Sequence, residues 1–294
     1  MVRIGINPLT WTNDDLPALG DENSLEKCLT EAKQAGYEGV ELGRKFPRNA
    51  ATLGPLLKGH GLQLVSGWYS ARLLERSVDD EIKAMRPHQD LLKALGAKAM
   101  VFAEVSRCVH GDRSIPLSKR PVLAEKEWKP FLERLDAVAA HLEKQGMKMA
   151  YHHHMGTVIQ TEEEVDRMMA GTRSVGLLLD SGHLTVAGGD PLRALKRHAK
   201  RVTHVHCKDV RKKELERARR EDLSFLDAVL GDVFAVPGDG SIDFEPILAG
   251  LAKEGYSGWL VVEADQDPAK AHPLTHARIG HDCLRPLARR YWKV

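Results

Sequence analysis

The feature that most limits what this chain can fold into is an alternation that runs from one end to the other. Short apolar runs cover residues 2–7, 37–42, 62–68, 98–104, 147–152, 175–180, 202–208 and 258–264. Between them, apolar residues recur at helical spacing. Leu25, Cys28, Leu29 and Ala32 share one face before Gly36, and helices are predicted over about 50–60, 79–95, 125–145, 191–199 and 244–254 and at the end of the chain. Thr161 and Glu164 form a capping box ahead of Val165, Met168 and Met169. Residues 105–123 read as a long loop. Parallel strands need a crossover between them, and a helix supplies it, so this order argues for a parallel sheet. Eight units allow the sheet to close, and 294 residues suit a barrel built from about 250. An open doubly wound sheet advertises a glycine-rich phosphate turn after its first strand, which Asn7-Pro8-Leu9-Thr10 is not. The expectation is an α/β protein with a parallel (β/α)8 TIM barrel, one domain over residues 1–294.

Composition narrows the partners. Lysine and arginine number 43 against 41 aspartate and glutamate, a net charge of +2 that argues against nucleic acid or a membrane surface as partner. Cys28, Cys108, Cys207 and Cys283 are far apart and form no CxxC pair, which fits reduced thiols and a cytoplasmic location. No apolar run approaches the roughly 18 residues of a membrane span, and no signal-peptide pattern opens the chain. A small molecule is the expected partner, with a homo-oligomer left open.

The chemistry gathers at the ends of the runs. Strand side chains alternate in direction, so Ala150, His152 and His154 share a face, as do His204, His206 and Lys208, and Val261, Glu263 and Asp265. Asp180 closes the sixth run, and His183 follows in the turn. Runs five to eight begin apolar and turn polar at their C-terminal ends, where barrel enzymes place their sites. Imidazoles with carboxylates make a ligand set for manganese, cobalt, zinc or iron. His204, deeper in its strand, is expected to be a hydrogen-bonded core residue, and His153, on the opposite face, a structural one. Glu41 and Glu104 end the second and fourth runs as candidate holders of substrate hydroxyls or as partners of a barrel lysine or arginine. Trp11, Trp68 and Tyr69 are candidate pocket walls, with packing in the core as the alternative. The charged segment 211–217 reads as a solvated helix face or, alternatively, a lid.

These residues resemble a known group. Asp180-Ser181-Gly182-His183, His204-Val205-His206 and Val262-Glu263 are similar to motifs of the xylose isomerase-like barrels. Tyr151-His152-His153-His154-Met155-Gly156-Thr157, His206-Cys207-Lys208-Asp209, the segment from Val236 to Phe244 and Glu263-Ala264-Asp265-Gln266 resemble the inosose dehydratase family more narrowly. The resemblance implies dehydration of 2-keto-myo-inositol, a small polyhydroxylated cyclic ketone, to a trihydroxycyclohexane dione, with manganese or cobalt as the metal. It implies His152, Asp180, His206 and Glu263 as ligands, where many relatives in the wider superfamily carry a glutamate at the position of His152. Glu263 is then the preferred base, Lys208 or His154 the acid or enolate stabiliser, and Glu41, Trp68, Glu104 and His183 the substrate contacts. A ketose epimerase or isomerase on the same scaffold is the alternative.

Overall fold

A computed structural model describes residues 1–292. The apolar runs become strands β1 (Val2–Ile6), β2 (Gly39–Leu42), β3 (Gln63–Ala71), β4 (Ala99–Glu104), β5 (Lys148–His152), β6 (Leu177–Asp180) and β7 (Val202–Cys207). A short antiparallel ribbon, β8 (Asp209–Val210) with β9 (Phe234–Ala235), precedes the last barrel strand, β10 (Gly258–Val262). Among the described residues, eight parallel strands close into a barrel in the order β1-β10-β7-β6-β5-β4-β3-β2. The seam between β10 and β1 sets Ile6 beside Val262.

The helices start where side-chain oxygens can take orphan N–H groups. Ser24, Ser77 and Ser224 accept from Lys27, Asp80 and Asp227, three residues on in each case. Thr161 accepts from the Glu164 amide, and the Glu164 carboxylate accepts from the Thr161 amide, so the capping box forms. Gly36 ends the first helix at φ +100°, where a Cβ would lie 2.8 Å from the His281 ring.

Strand alternation splits the apolar side chains between two cores. Met100, Phe102, Met149, Tyr151, Leu177 and Leu179 point outward into the layer under the helices. Ala99, Val101, Ala150 and Leu178 point inward, with Trp68 against them. Val65, Trp259 and Val261 fill the other end of the barrel, where the Arg3 guanidinium lies 3.9 Å over the Trp259 ring. The interior residues of β5, β6 and β10 are therefore in phase with His152, Asp180 and Glu263 above them.

Two regions carry more structure than the expectation. The segment after β7 forms helices Lys212–Arg220 and Phe225–Leu230, which with the ribbon bury a separate cluster that includes Met155, Val210, Leu215, Phe225, Val229 and Phe234. The charged run is the outer face of the first of these helices, whose buried side is only Leu215 and Ala218. The long loop carries a 3-10 turn, Leu117–Lys119, and is tied to this insertion by Leu117 N–H to Leu223 O at 3.1 Å and Arg113 to Asp227 at 2.8 Å. Among the described residues no helix is long and apolar enough to cross a membrane.

Candidate active site

The strand ends converge on a cavity of about 250 Å³, below the roughly 300–1,000 Å³ of drug-sized sites and suited to a small ligand. Its lining includes Asn7, Glu41, Trp68, His152, His154, His206 and Glu263. At the end of β1, the Asn7 amide donates to both Glu41 and Glu263 at 2.7 Å, bridging the two neighbouring strands. Glu41 also receives His204 Nε2 at 2.8 Å and His206 Nε2 at 3.1 Å. His204 is thus hydrogen-bonded inside the barrel, and its donor atom lies within 4.8 Å of those of Glu41 and His206.

The ring nitrogens left over define a second point of convergence. His152 Nδ1 lies 2.9 Å from the His153 carbonyl, so Nδ1 carries the proton and Nε2 is free. That Nε2 lies 3.5 Å from Asp180 Oδ2. His206, with Nε2 given to Glu41, sets Nδ1 3.5 Å from the same Asp180 oxygen and 3.1 Å from Glu263 Oε2. Neither Asp180 Oδ2 nor His206 Nδ1 has a hydrogen-bond partner among the described residues, although both are buried. Buried polar atoms without partners cost about 1–3 kcal/mol each, so two facing one point call for a group that satisfies both. Two imidazoles and two carboxylates without a thiolate fit a divalent cation. His183 also comes within 4.8 Å of the His152, Asp180 and Glu263 donors. Its Nε2 is already bonded to Lys208 at 2.9 Å, whereas His206 Nδ1 faces the Asp180 and Glu263 carboxylates and makes no hydrogen bond among the described residues.

Lys208 is fully buried, with Nζ 2.7 Å from Glu263 Oε1, 2.6 Å from Asp265 and 2.9 Å from His183. Burial would lower its pKa, but Asp265, Glu263 and Asp180 outweigh burial and raise it. Burial would raise Glu263, yet His206 and Lys208 bring it down to about 2. Asp180, which burial would also raise, is held well below the ordinary range, with Lys208 the largest opposing influence. His154 is pushed well below its usual value by burial, followed by His110 and His152. Its Nδ1 lies 2.8 Å from the Met155 carbonyl, which leaves Nε2 as an acceptor. Lys208 Nζ is thus fully engaged by Glu263, Asp265 and His183, and His154 Nδ1 by the Met155 carbonyl.

The other expected contacts divide. Trp68 lines the cavity, edge-on to His152 and His154 at 5.4 Å each. Glu41 lines it too, while His183 stands behind, 4.0 Å from the His154 ring. Glu104 is a correction: it is in phase with Met100 and Phe102, faces out of the barrel, and accepts from the Leu73 and Ser106 amides at 2.6 and 2.8 Å. Trp11 and Tyr69 also lie outside, bonded to Glu31 and Glu81. His153 is buried, with neither ring nitrogen partnered among the described residues. The reading from sequence missed Asn7, although it ends the first strand as the other site residues end theirs. It also missed Phe225 and Phe234, which wall His183 at 5.9 and 5.2 Å and come from an insertion with no strand or barrel-helix signature.

Comparison with known proteins places the chain in a family. Residues 29–287 match the xylose isomerase-like TIM barrel family. The rhizopine catabolism protein MocC of Rhizobium meliloti is 54% identical over 288 residues, covering 98% of this chain and 89% of MocC. An inosose dehydratase of Clostridium perfringens is 46% identical over 279 residues, 94% of each chain. Another, from Geobacillus thermodenitrificans, is 44% identical over 97% of this chain and 96% of its own. Among solved structures, the IolI protein with a bound zinc atom superimposes with a TM-score of 0.70 at 18% identity, covering 99% of this chain and 100% of IolI, a likeness of fold. The chain belongs to the xylose isomerase-like TIM barrel family, in the branch that holds MocC and the inosose dehydratases.

Proposed function

We propose that this protein is a metal-dependent hydro-lyase that removes water from 2-keto-myo-inositol to give a trihydroxycyclohexane dione, working in the cytoplasm on the path of myo-inositol breakdown. The observation that carries the reading is a pair of buried atoms without hydrogen-bond partners among the described residues, Asp180 Oδ2 and His206 Nδ1, beside a small cavity lined by His152, His206 and Glu263, in a chain 46% identical over 94% of its length to an inosose dehydratase. His152, Asp180, His206 and Glu263 would hold the ion, manganese or cobalt, and what it supplies when bound is Lewis acidity toward a carbonyl oxygen.

The chain's own groups do the rest. Glu263 takes the proton from the carbon next to the ketone. Lys208 and Asn7 fix its two oxygens, so position is its contribution. Trp68 gives the sugar ring a flat wall. Glu41 and His154 Nε2 accept from substrate hydroxyls. Lys208 keeps its charge and holds Glu263 rather than trading protons. An epimerase needs a second base on the opposite face of its substrate; the fifth-strand position here carries the imidazole of His152, whose Nδ1 is spent on a carbonyl.

The test is product analysis with 2-keto-myo-inositol, with and without added manganese or cobalt, beside a ketose epimerisation assay. Dione formation that a chelator abolishes is expected. Epimerised ketose with no dione under any metal would overturn the reading. Glu263→Gln is expected to stop deuterium wash-in at the α-carbon, and exchange at the wild-type rate would remove Glu263 as the base.

A further inference from the structure

Elimination of a hydroxyl needs a proton for the departing oxygen, while Lys208 Nζ is taken up by Glu263, Asp265 and His183 and His154 Nδ1 by the Met155 carbonyl. The rim of the cavity holds another group. Asp15, on the loop after β1, and His110, on the long loop after β4, both line it, and Asp15 Oδ1 lies 3.5 Å from His110 Nε2. The other ring nitrogen, Nδ1, is buried with no partner among the described residues. An imidazole with a carboxylate behind one nitrogen and nothing on the other is the arrangement of a proton-transfer pair, and such contacts are often long before substrate tightens them.

Both loops are fixed for this. The Asn13 side chain accepts from the Asp15 and Leu16 amides at 2.9 and 2.7 Å, and Leu16 packs on the satellite cluster. On the other side, Val109 N–H donates to Gly156 O at 2.9 Å, and His110 packs edge-on to His154 at 5.0 Å and Phe225 at 6.4 Å. Gly156 has φ +78°, and a Cβ there would sit 2.9 Å from the His110 backbone nitrogen. The glycine after the triple histidine thus lets the His110 loop seat against the segment that runs on from His152 through His154.

We propose that His110, backed by Asp15, is the general acid that protonates the leaving hydroxyl, an assignment that rests on the dehydratase reading above. Glu263 receives the α-proton, and the C–H electron pair forms the enolate. The enolate re-forms the ketone as its double bond moves to the β-carbon. The β C–O bond breaks with its pair on oxygen, which takes the proton from His110 and leaves as water. The hydroxyl remaining on the α-carbon is now an enol, and it ketonises to the dione. His110, whose side chain is 12% exposed, regains its proton from solvent.

The test separates the two halves of the reaction in the full-length, metal-loaded protein. In His110→Gln, dehydration is expected to fall about 10²–10⁴-fold while deuterium wash-in at the α-carbon continues, because the base is untouched. Asp15→Asn should slow dehydration about tenfold or more with exchange likewise kept, and imidazole should restore His110→Ala. Wild-type dehydration in both His110→Gln and Asp15→Asn overturns the proposal. So does loss of exchange together with dehydration in Asp15→Asn that keeps the wild-type circular dichroism, or failure of imidazole to restore a folded His110→Ala. If the wild type itself neither exchanges nor dehydrates 2-keto-myo-inositol, the dehydratase reading has failed instead.

Discussion

Lys208→Met isolates the charge at the centre of the site. The ammonium is fully buried and touches Glu263 at 2.7 Å and Asp265 at 2.6 Å, with Asp180 at 3.9 Å. Removing it leaves three buried carboxylates without their shared counter-charge, and breaking a buried pair from one side costs about 3–5 kcal/mol. Unfolding entropy near 60 °C is about 2.1 cal/mol/K per residue, or about 0.6 kcal/mol/K for 294 residues, so melting should fall by about 5–8 °C. Denaturant and thermal unfolding in a chelator, with no divalent ion to compensate, measure this. A cycle with Asp265→Asn sharpens it: the double variant should be more stable than the sum of the two single losses by at least about 1 kcal/mol, because it buries one charge fewer. The pH dependence has a definite sign. Asp265 is already raised by burial against the pull of Lys208 and rises further without it. A carboxyl raised in the folded state loses its stabilising share as pH climbs through that value, so the variant's deficit should shrink on acidification. A Lys208→Met loss under about 1 kcal/mol, or additivity in the cycle, would refute the account of Lys208 as the charge that makes this carboxylate cluster tolerable.

Asp180→Asn and His206→Ala should lose tight manganese binding in calorimetry while keeping barrel circular dichroism, since the apolar layers lie beneath them; collapse of both would mean the residues are structural. His152→Glu is expected to retain metal and lose dehydration, measured by metal content and product assay. Gly156→Ala forces a non-glycine residue to φ +78° against the His110 backbone and should cost about 1–2 kcal/mol in unfolding, with dehydration reduced more than α-proton exchange. His153 is held to about 3 by burial, and His154, His183 and His204 are also lowered. Their stabilising share is present above the ordinary value of 6.5 and lost as pH falls toward the folded values, up to about 1.4 kcal/mol per pH unit for each. Unfolding free energy unchanged between pH 6.5 and 5 would contradict it.

The barrel was legible because a parallel strand must be apolar on both faces and its crossover helix on one, a contrast that survives in every unit of this sequence. The floor of the site was legible for the same reason: a polar residue closing an apolar strand stands out. Glu104 shows the limit. Position at a strand end does not give phase, and only pairing with Met100 and Phe102 reveals that it points outward. Asn7 was passed over because an amide next to a proline reads as turn chemistry, and its value lies in two carboxylates that are 34 and 256 residues away. His110 and Asp15 sit on loops, where no periodicity reports direction. Phe225 sits in a six-residue helix and Phe234 in a two-residue strand, each too short for a period to show.

The insertion's separate cluster has a consequence for how such proteins change. The floor is built from strand ends locked into the barrel, whereas Phe225 and Phe234, which back the His154 and His183 rings, hang on a small core of their own. Residues of that small core can be exchanged without disturbing the register of any barrel strand. A lineage, or an engineer, can therefore change what backs the His110 and His154 rings while the strand ends that carry His152, Asp180 and His206 stay as they are.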